Sequence, residues 1–269
     1  MRMRKRYKYG ISTTVDYSVE IIGQIEIISK CGFDFISLGA RIGHCHFLHD
    51  NMFAKMLEIA AKNGLKINSI HFPFGAEYDI ASRDENKRRS AIDFLKEFCE
   101  RSLKFGISII ILHPHHYFDD SKESCLERSI LSLEEILKFK SADLHIAIEN
   151  LPGKESSWIF GQLMDKFDPQ SFGFCYDSSH ENISGPPWHL LGKYLSRLTT
   201  CHLSDNHGLS DEHLLPGDGN IDWRQLRHYF DSADNLTNIL FEVGTGDKLA
   251  EPLEIFARKA WGRADKYFG

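Results

Sequence analysis

His71, His113, Glu149, Asp177, His202 and Glu242 each stand at the end of a short apolar run: "LKINSI", "ISIIIL", "LHIAI", "FGFCY", "LTTC" and "NILF". Imidazole and carboxylate are the side chains that bind divalent ions and carry protons. One such residue at a strand end is usually a cap or a hydrogen-bonded polar group, but six on successive runs point to a common centre. Its three carboxylates would repel one another unless a cation or protons neutralised them. A mixed nitrogen and oxygen donor set suits Zn²⁺, Mn²⁺, Co²⁺ or Fe²⁺ better than Mg²⁺ or Ca²⁺. The chemistry expected is therefore that of a divalent metal, zinc or manganese foremost.

Further donors lie nearby. His180 follows Asp177 by three residues, and Asp211 with His213 forms a D-x-H pair inside "HLSDNHGLSDEHLLPGDGNIDW". Two residues apart in an extended segment, Asp211 and His213 project to one side and reach one ion; the alternative for both is a solvated loop. The "PGDG" turn after them is expected to fold back over the pocket. His44, His46, His49 and His116 read as rim-loop residues, and His145, four residues before Glu149, as a core or barrel-bottom residue.

Positioning such a set requires strands that end together. Eight apolar runs recur at intervals of about 26 to 42 residues, the first two being "YKYGIST" and "FDFISLG". Between them lie amphipathic segments such as "SVEIIGQIEIISKCG" and "SRDENKRRSAIDFLKEFCERSLKFG", each ending at a glycine. No linker or low-complexity tract divides the chain, so residues 1–269 read as a single α/β domain, a (β/α)₈ TIM barrel with its site at the C-terminal strand ends. A doubly wound sheet lacks support, because no G-x-G-x-x-G turn follows the first run.

A net charge of −6 disfavours a broad polyanion-binding face. Six cysteines without a C-x-x-C pair fit a reducing, cytoplasmic setting. The basic opening "MRMRKRYKYG" has no apolar stretch after it that would make an export signal or a membrane span.

These residues resemble a known family, the xylose isomerase-like TIM barrels, which holds sugar isomerases and epimerases together with endonuclease IV, an endonuclease of abasic DNA. The similarity spans nearly the whole chain. In the endonuclease branch the resemblance implies a trinuclear zinc site: His71, His113 and Glu149 match the first zinc; Glu149, Asp177, His202 and Glu242 the second; His180, Asp211 and His213 the third. "HFPF", "DIAS" and "LHP" also look like that branch. Isomerase-like members use only the shell of Glu149, Asp177, His202 and Glu242, so one to three ions per chain are implied. Against the endonuclease, "GARIGHCHFLHD" lacks its DNA-entering arginine loop, Phe74 stands where it has a tyrosine, and "LSDNHGLS" lacks its basic residues. Nucleic acid is disfavoured as a partner.

The resemblance implies an enzyme, a divalent-metal-dependent sugar or keto-polyol isomerase or epimerase. A metal would polarise a substrate carbonyl and stabilise an enediolate, with Glu149 and Glu242 as proton carriers. The alternatives are a zinc phosphodiesterase acting at abasic DNA sites and a metal-dependent dehydratase of a cyclic hydroxy-ketone. His115, Asp205 and Trp188 are candidate substrate contacts, Trp188 by stacking on a sugar. The partner expected is a small carbohydrate-like molecule, with no membrane and with an oligomer compatible with the sequence.

Overall fold

The computed structural model of the chain describes residues 7–118, 120–233, 236–244 and 248–269, so the basic opening residues 1–6 lie outside it. Its strands are β1 (Lys8–Ser12), β2 (Phe35–Leu38), β3 (Lys66–His71), β4 (Ile109–Leu112), β5 (His145–Glu149), β6 (Gly173–Asp177), β7 (Leu198–His202) and β8 (Asn238–Phe241). The helices are α1 (Ile21–Ser29), α2 (Asp50–Lys62), α3 (Glu85–Lys104), α4 (Lys122–Leu137), α5 (Lys154–Lys166), α6 (Ser178–Ser184), α7 (His189–Tyr194), α8 (Trp223–Asp231) and α9 (Leu253–Phe268). The strands pair in parallel in the order β7-β6-β5-β4-β3-β2-β1-β8. The two ends of that row also meet. Leu203 N–H donates to Leu240 O at 2.9 Å and Glu242 N–H to Leu203 O at 3.0 Å, so the barrel is joined at the C-terminal end of its strands.

Alternation along each strand divides the interior into two kinds of surface. Ile110, Leu112, Ile146, Ile148, Phe174 and Tyr176 belong to the large core shared with the helices, each burial contributing roughly 1.5–3 kcal/mol. Ile111, Ala147 and Cys175 pack together as a separate small cluster. They lie two residues before His113, Glu149 and Asp177, on the same strand faces. The polar residues therefore crown an apolar layer that water does not reach.

Local chemistry starts and stops the helices. Asp84 accepts from the N–H groups of Asn86 at 2.9 Å and Lys87 at 3.3 Å to begin α3, and Asp222 caps α8 in the same way. Gly106 ends α3 at φ +76, where its N–H reaches Leu103 O at 2.9 Å and Ile107 N–H reaches Ser102 O at 2.9 Å. That left-handed residue is the stop expected of the glycine. All six cysteines are buried and unbridged. Among the described residues no helix is long and apolar enough to cross a membrane.

Candidate metal centre and its cavity

Glu149, at the tip of β5 and 1 % exposed, is the hub. Its Oε2 lies 3.2 Å from His71 Nε2 and 3.4 Å from His113 Nε2. Its Oε1 lies 3.3 Å from His202 Nδ1 and 3.5 Å from His180 Nδ1. Glu242 Oε2 also approaches His202 Nδ1, at 2.9 Å. Register explains the convergence: Asp177 pairs with His202 across β6 and β7, and Glu149 pairs with Cys175 across β5 and β6. Donor atoms of Glu149, Asp177, His202 and Glu242 all fall within 4.8 Å of one another, and so do those of His71, His113 and Glu149.

The histidine rings are aimed by backbone carbonyls. Nδ1 of His71 lies 2.6 Å from Phe72 O, that of His180 2.9 Å from Asn150 O, and that of His213 3.0 Å from Glu242 O. A carbonyl oxygen only accepts, so each ring donates there from Nδ1 and turns Nε2 inward. Rings held this way are typical of metal ligands. The inward Nε2 atoms of His180 and His213 meet Asp211 Oδ2 at 3.1 and 2.9 Å.

Three atoms bear on whether a cation fits. Asp177 Oδ2 and Asp211 Oδ1 are buried without a hydrogen-bond partner, and His202 Nδ1 lacks the alignment of a hydrogen bond despite its two close carboxylates. Burial pushes the Asp177 carboxyl up to about 7, opposed by the nearby His180. For Glu242 burial opposes ionisation, but His202 outweighs it and holds the carboxyl down at about 2. Burial disfavours the charged ring of His180, yet Asp177, Asp211 and Glu149 hold its pKa at about 10. His113, by contrast, is lowered to about 4, chiefly by burial. Orphaned buried oxygens among converging nitrogens are what a divalent ion satisfies, and the residues present fit one. Cys175 also lies beside Glu149 and His202. Its thiol is pushed well above its ordinary range by burial and by Glu149, so it forms the floor with its proton on.

The arm from the β7–α8 loop departs from expectation in two respects. His213 adopts φ +49, so a left-handed turn, not an extended segment, brings it beside Asp211. The "PGDG" turn does not cover the pocket. Arg263 of α9 ties it down outside the barrel, donating to Pro216 O at 2.9 Å and to Asp218 Oδ1 at 2.6 Å. His180 and His213 join through Asp211, at 3.1 and 2.9 Å, and His180 also lies 3.5 Å from Glu149 Oε1, which links the arm to the centre.

The three candidate substrate contacts part company. His115 lines the cavity, with Nδ1 2.6 Å from His116 O and Nε2 buried without a partner. Asp205 does not line it. Fully buried, its carboxylate accepts from Trp223 Nε1 at 2.7 Å and from the N–H groups of Gly217, Ile221 and Asn206 at 2.7, 3.1 and 3.0 Å. Asp205→Ala is expected to destabilise the protein by about 3 kcal/mol, because buried donors lose their acceptor; chemical denaturation measures it. Trp188 packs on Tyr229 at 5.9 Å, also off the cavity wall. It stands in the left-handed region, at φ +65, at the start of α7, and its side chain packs against the core. Of the rim histidines, His44 bonds to Val19 O and His46 faces Glu20, while His116 reaches the cavity. His145 is exposed at the start of β5, the bottom of the barrel.

Above the centre opens a cavity of about 780 Å³. Its wall includes residues that the strand-end pattern misses: Thr14, Tyr17, Arg41, Phe74, Phe118 and Lys154. Thr14 is the exception with a usable signal, since it lies two residues past the end of β1, and its hydroxyl lies 3.4 Å from Glu242 Oε1. Phe74 stacks on His113 at 4.9 Å and 17°. The Arg41 guanidinium lies 4.3 Å over the Tyr17 ring.

Comparison with known proteins agrees with this architecture. An uncharacterized protein of Sinorhizobium fredii is 23 % identical over 266 residues, 84 % of this chain and 82 % of that one. A probable endonuclease 4 of Aster yellows witches'-broom phytoplasma is 28 % identical over 135 residues, covering 46 % of this chain and 45 % of that one. Among solved structures, D-psicose 3-epimerase of Clostridium cellulolyticum with D-tagatose superposes with a TM-score of 0.77 at 20 % identity, over 97 % of this chain and 99 % of that one. The IolI protein with a bound zinc atom superposes with a TM-score of 0.80 at 17 % identity, over 97 % and 99 %. The family model described as xylose isomerase-like TIM barrel matches residues 25–259, and the chain belongs to that family.

Proposed function

We propose that the protein is a divalent-metal-dependent epimerase or isomerase of a keto-sugar or keto-polyol. The observation that carries the reading is that Glu149 of β5 and Glu242 after β8 approach one imidazole nitrogen, His202 Nδ1, from strands three apart in the barrel. Two carboxylates so placed flank a substrate held between them. Glu149, Asp177, His202 and Glu242 would hold the metal, whose contribution is to polarise a substrate carbonyl. Glu149 takes the proton from the carbon beside that carbonyl. Glu242 returns a proton drawn from solvent, to the opposite face for epimerisation or to the neighbouring carbon for isomerisation. Despite its burial, the Glu149 carboxyl is held well below the ordinary range by His202 and the histidines around it, so it is the anion that a base must be; Glu242, held low by the same ring, takes up a solvent proton before it returns one. The presence of D-psicose and L-ribulose 3-epimerases among the structures of similar fold supports the sugar class.

One observation favours a second reading. His180, Asp211 and His213 meet at one carboxylate, as a third zinc of an endonuclease at abasic sites requires, and several relatives are named probable endonuclease 4. The cavity wall argues against it, because its cations include Arg41 and Lys154 beside an acidic Glu155, too few to track a phosphate backbone.

The test is solvent exchange. The metal-loaded protein is incubated in D₂O with D-fructose, D-tagatose, L-ribulose and cyclic keto-polyols, and proton NMR follows the C–H signal next to the carbonyl. Loss of that signal with appearance of an epimer or isomer is expected. Cleavage of abasic-site DNA, with no exchange into any of these compounds, would overturn the reading in favour of the second.

A further inference from the structure

We propose that the substrate has two parts, a keto-sugar or keto-polyol head at the carboxylates and a second sugar ring against an aromatic wall at the cavity mouth. The head rests on the function proposed above; the second ring rests on volume and wall chemistry. A cavity of about 780 Å³ holds about 26 waters at about 30 Å³ each. A hexose has about a dozen non-hydrogen atoms, none larger than a water, and so fills less than half of it. The buried ionisable groups gather around Glu149, whereas Phe74, Tyr117, Phe118 and Leu151 line the cavity together with a polar rim of Arg41, His116, Lys154 and Glu155, and Phe74 and Tyr117 are exposed at its mouth. These four come from the loops after β3, β4 and β5, neighbouring strands of the barrel, and so lie on one side of it.

Phe74 carries most of the argument. One face of its ring is covered by His113, yet the residue stays 53 % exposed, so the other face is open. An exposed aromatic face at the entrance of a polar site costs solvation unless something flat and partly apolar covers it. The C–H face of a pyranose does so while its hydroxyls reach water and the polar rim. An alkyl chain would leave that rim unused. A phosphate would find Lys154 next to Glu155, and Arg41 packed on Tyr17.

Binding tests this without requiring turnover. Titration calorimetry compares D-fructose, its 3-O-, 4-O- and 6-O-glycosyl derivatives, and D-fructose 6-phosphate on the metal-loaded protein. At least one disaccharide is expected to bind about tenfold more tightly than D-fructose. Phe74→Ala should bring that ratio to within about twofold, and Phe74→Tyr, which keeps the flat face, should preserve it. The proposal is overturned if no disaccharide outbinds D-fructose, if the phosphate binds most tightly, or if Phe74→Ala leaves the ratio intact. A disaccharide preference without solvent exchange would refute the epimerase reading and leave the two-part ligand standing. Exchange into D-fructose without that preference would do the reverse.

Discussion

Replacing Glu149 by Gln is expected to lower the rate of solvent exchange into substrate by about 10³-fold or more, because the amide keeps the side chain's shape and loses its basicity. No other residue of the centre touches as many partners: His71, His113, His202 and His180 lie 3.2, 3.4, 3.3 and 3.5 Å from its two oxygens. The substitution also removes a negative charge from both compact donor groups, so metal affinity should fall by more than the roughly 10- to 100-fold that loss of a partner outside the ligand shell costs. Exchange followed by NMR and metal content by mass spectrometry, both on the same preparation, separate the two effects. If the variant saturated with metal still exchanges protons at the wild-type rate, Glu149 is not the proton carrier. Glu242→Gln offers the complementary case. It keeps the His71, His113 and Glu149 group whole, so first-proton abstraction by Glu149 should survive better than return of the proton to product.

Stripping the metal with a chelator is expected to lower the melting temperature by about 8–16 °C, since a ligand at about 1,000 times its dissociation constant contributes about 4 kcal/mol, at about 2–4 °C per kcal/mol for a chain near this size. Asp177→Asn should abolish most of that response, because the orphaned Oδ2 is one of the atoms a cation would satisfy. The same substitution tests the cost of the buried carboxylate in the metal-free protein. Asp177 is pushed up to about 7 in the folded state, against about 3.9 for an unperturbed aspartate. Between those values the folded state binds more protons than the unfolded one, so this group makes stability fall as pH rises from about 4 to about 7. The asparagine variant does not titrate, and asparagine caps α6 as well as aspartate does. In chelator, its melting temperature relative to wild type should therefore climb from about pH 4, reach a plateau above about pH 7, and sit higher there. A flat difference across that range would show that the Asp177 carboxyl ionises as in water, and that nothing at this position calls for a cation.

Much of the centre was legible in the chain because strand periodicity and strand ends are local properties. An apolar run that stops at His71 or Glu149 places that side chain at the rim of whatever sheet forms, and a parallel barrel puts all such ends on one face. The loop residues were harder to read. Asp205 looks like a pocket residue in sequence, yet it is the acceptor that Trp223 and three backbone N–H groups need, the first of them 18 residues away. Trp188 looks like a sugar platform, but its ring packs on Tyr229 of α8, a contact 41 residues away that no local pattern encodes. Phe74 stands out in the chain only as a departure from a family pattern, and its stacking on His113 from the neighbouring strand makes it a wall of the site.

The barrel and the imidazole and carboxylate side chains at its rim can be read from the chain, since they depend on hydrophobic period, glycine stops and residue type within a few positions. Which of those side chains come together depends on the tertiary structure. Glu149, Asp177, His202 and Glu242 converge because the β5–β6–β7 register and the Leu203–Leu240 closure bring distant strands together. The Asp211 and His213 arm comes to the rim because His213 is tied to the end of β8, its Nδ1 donating to Glu242 O at 3.0 Å and its carbonyl accepting from Gly244 N–H at 2.8 Å. Distances between strand ends are set by pairing and closure across the whole chain, and no local pattern encodes them.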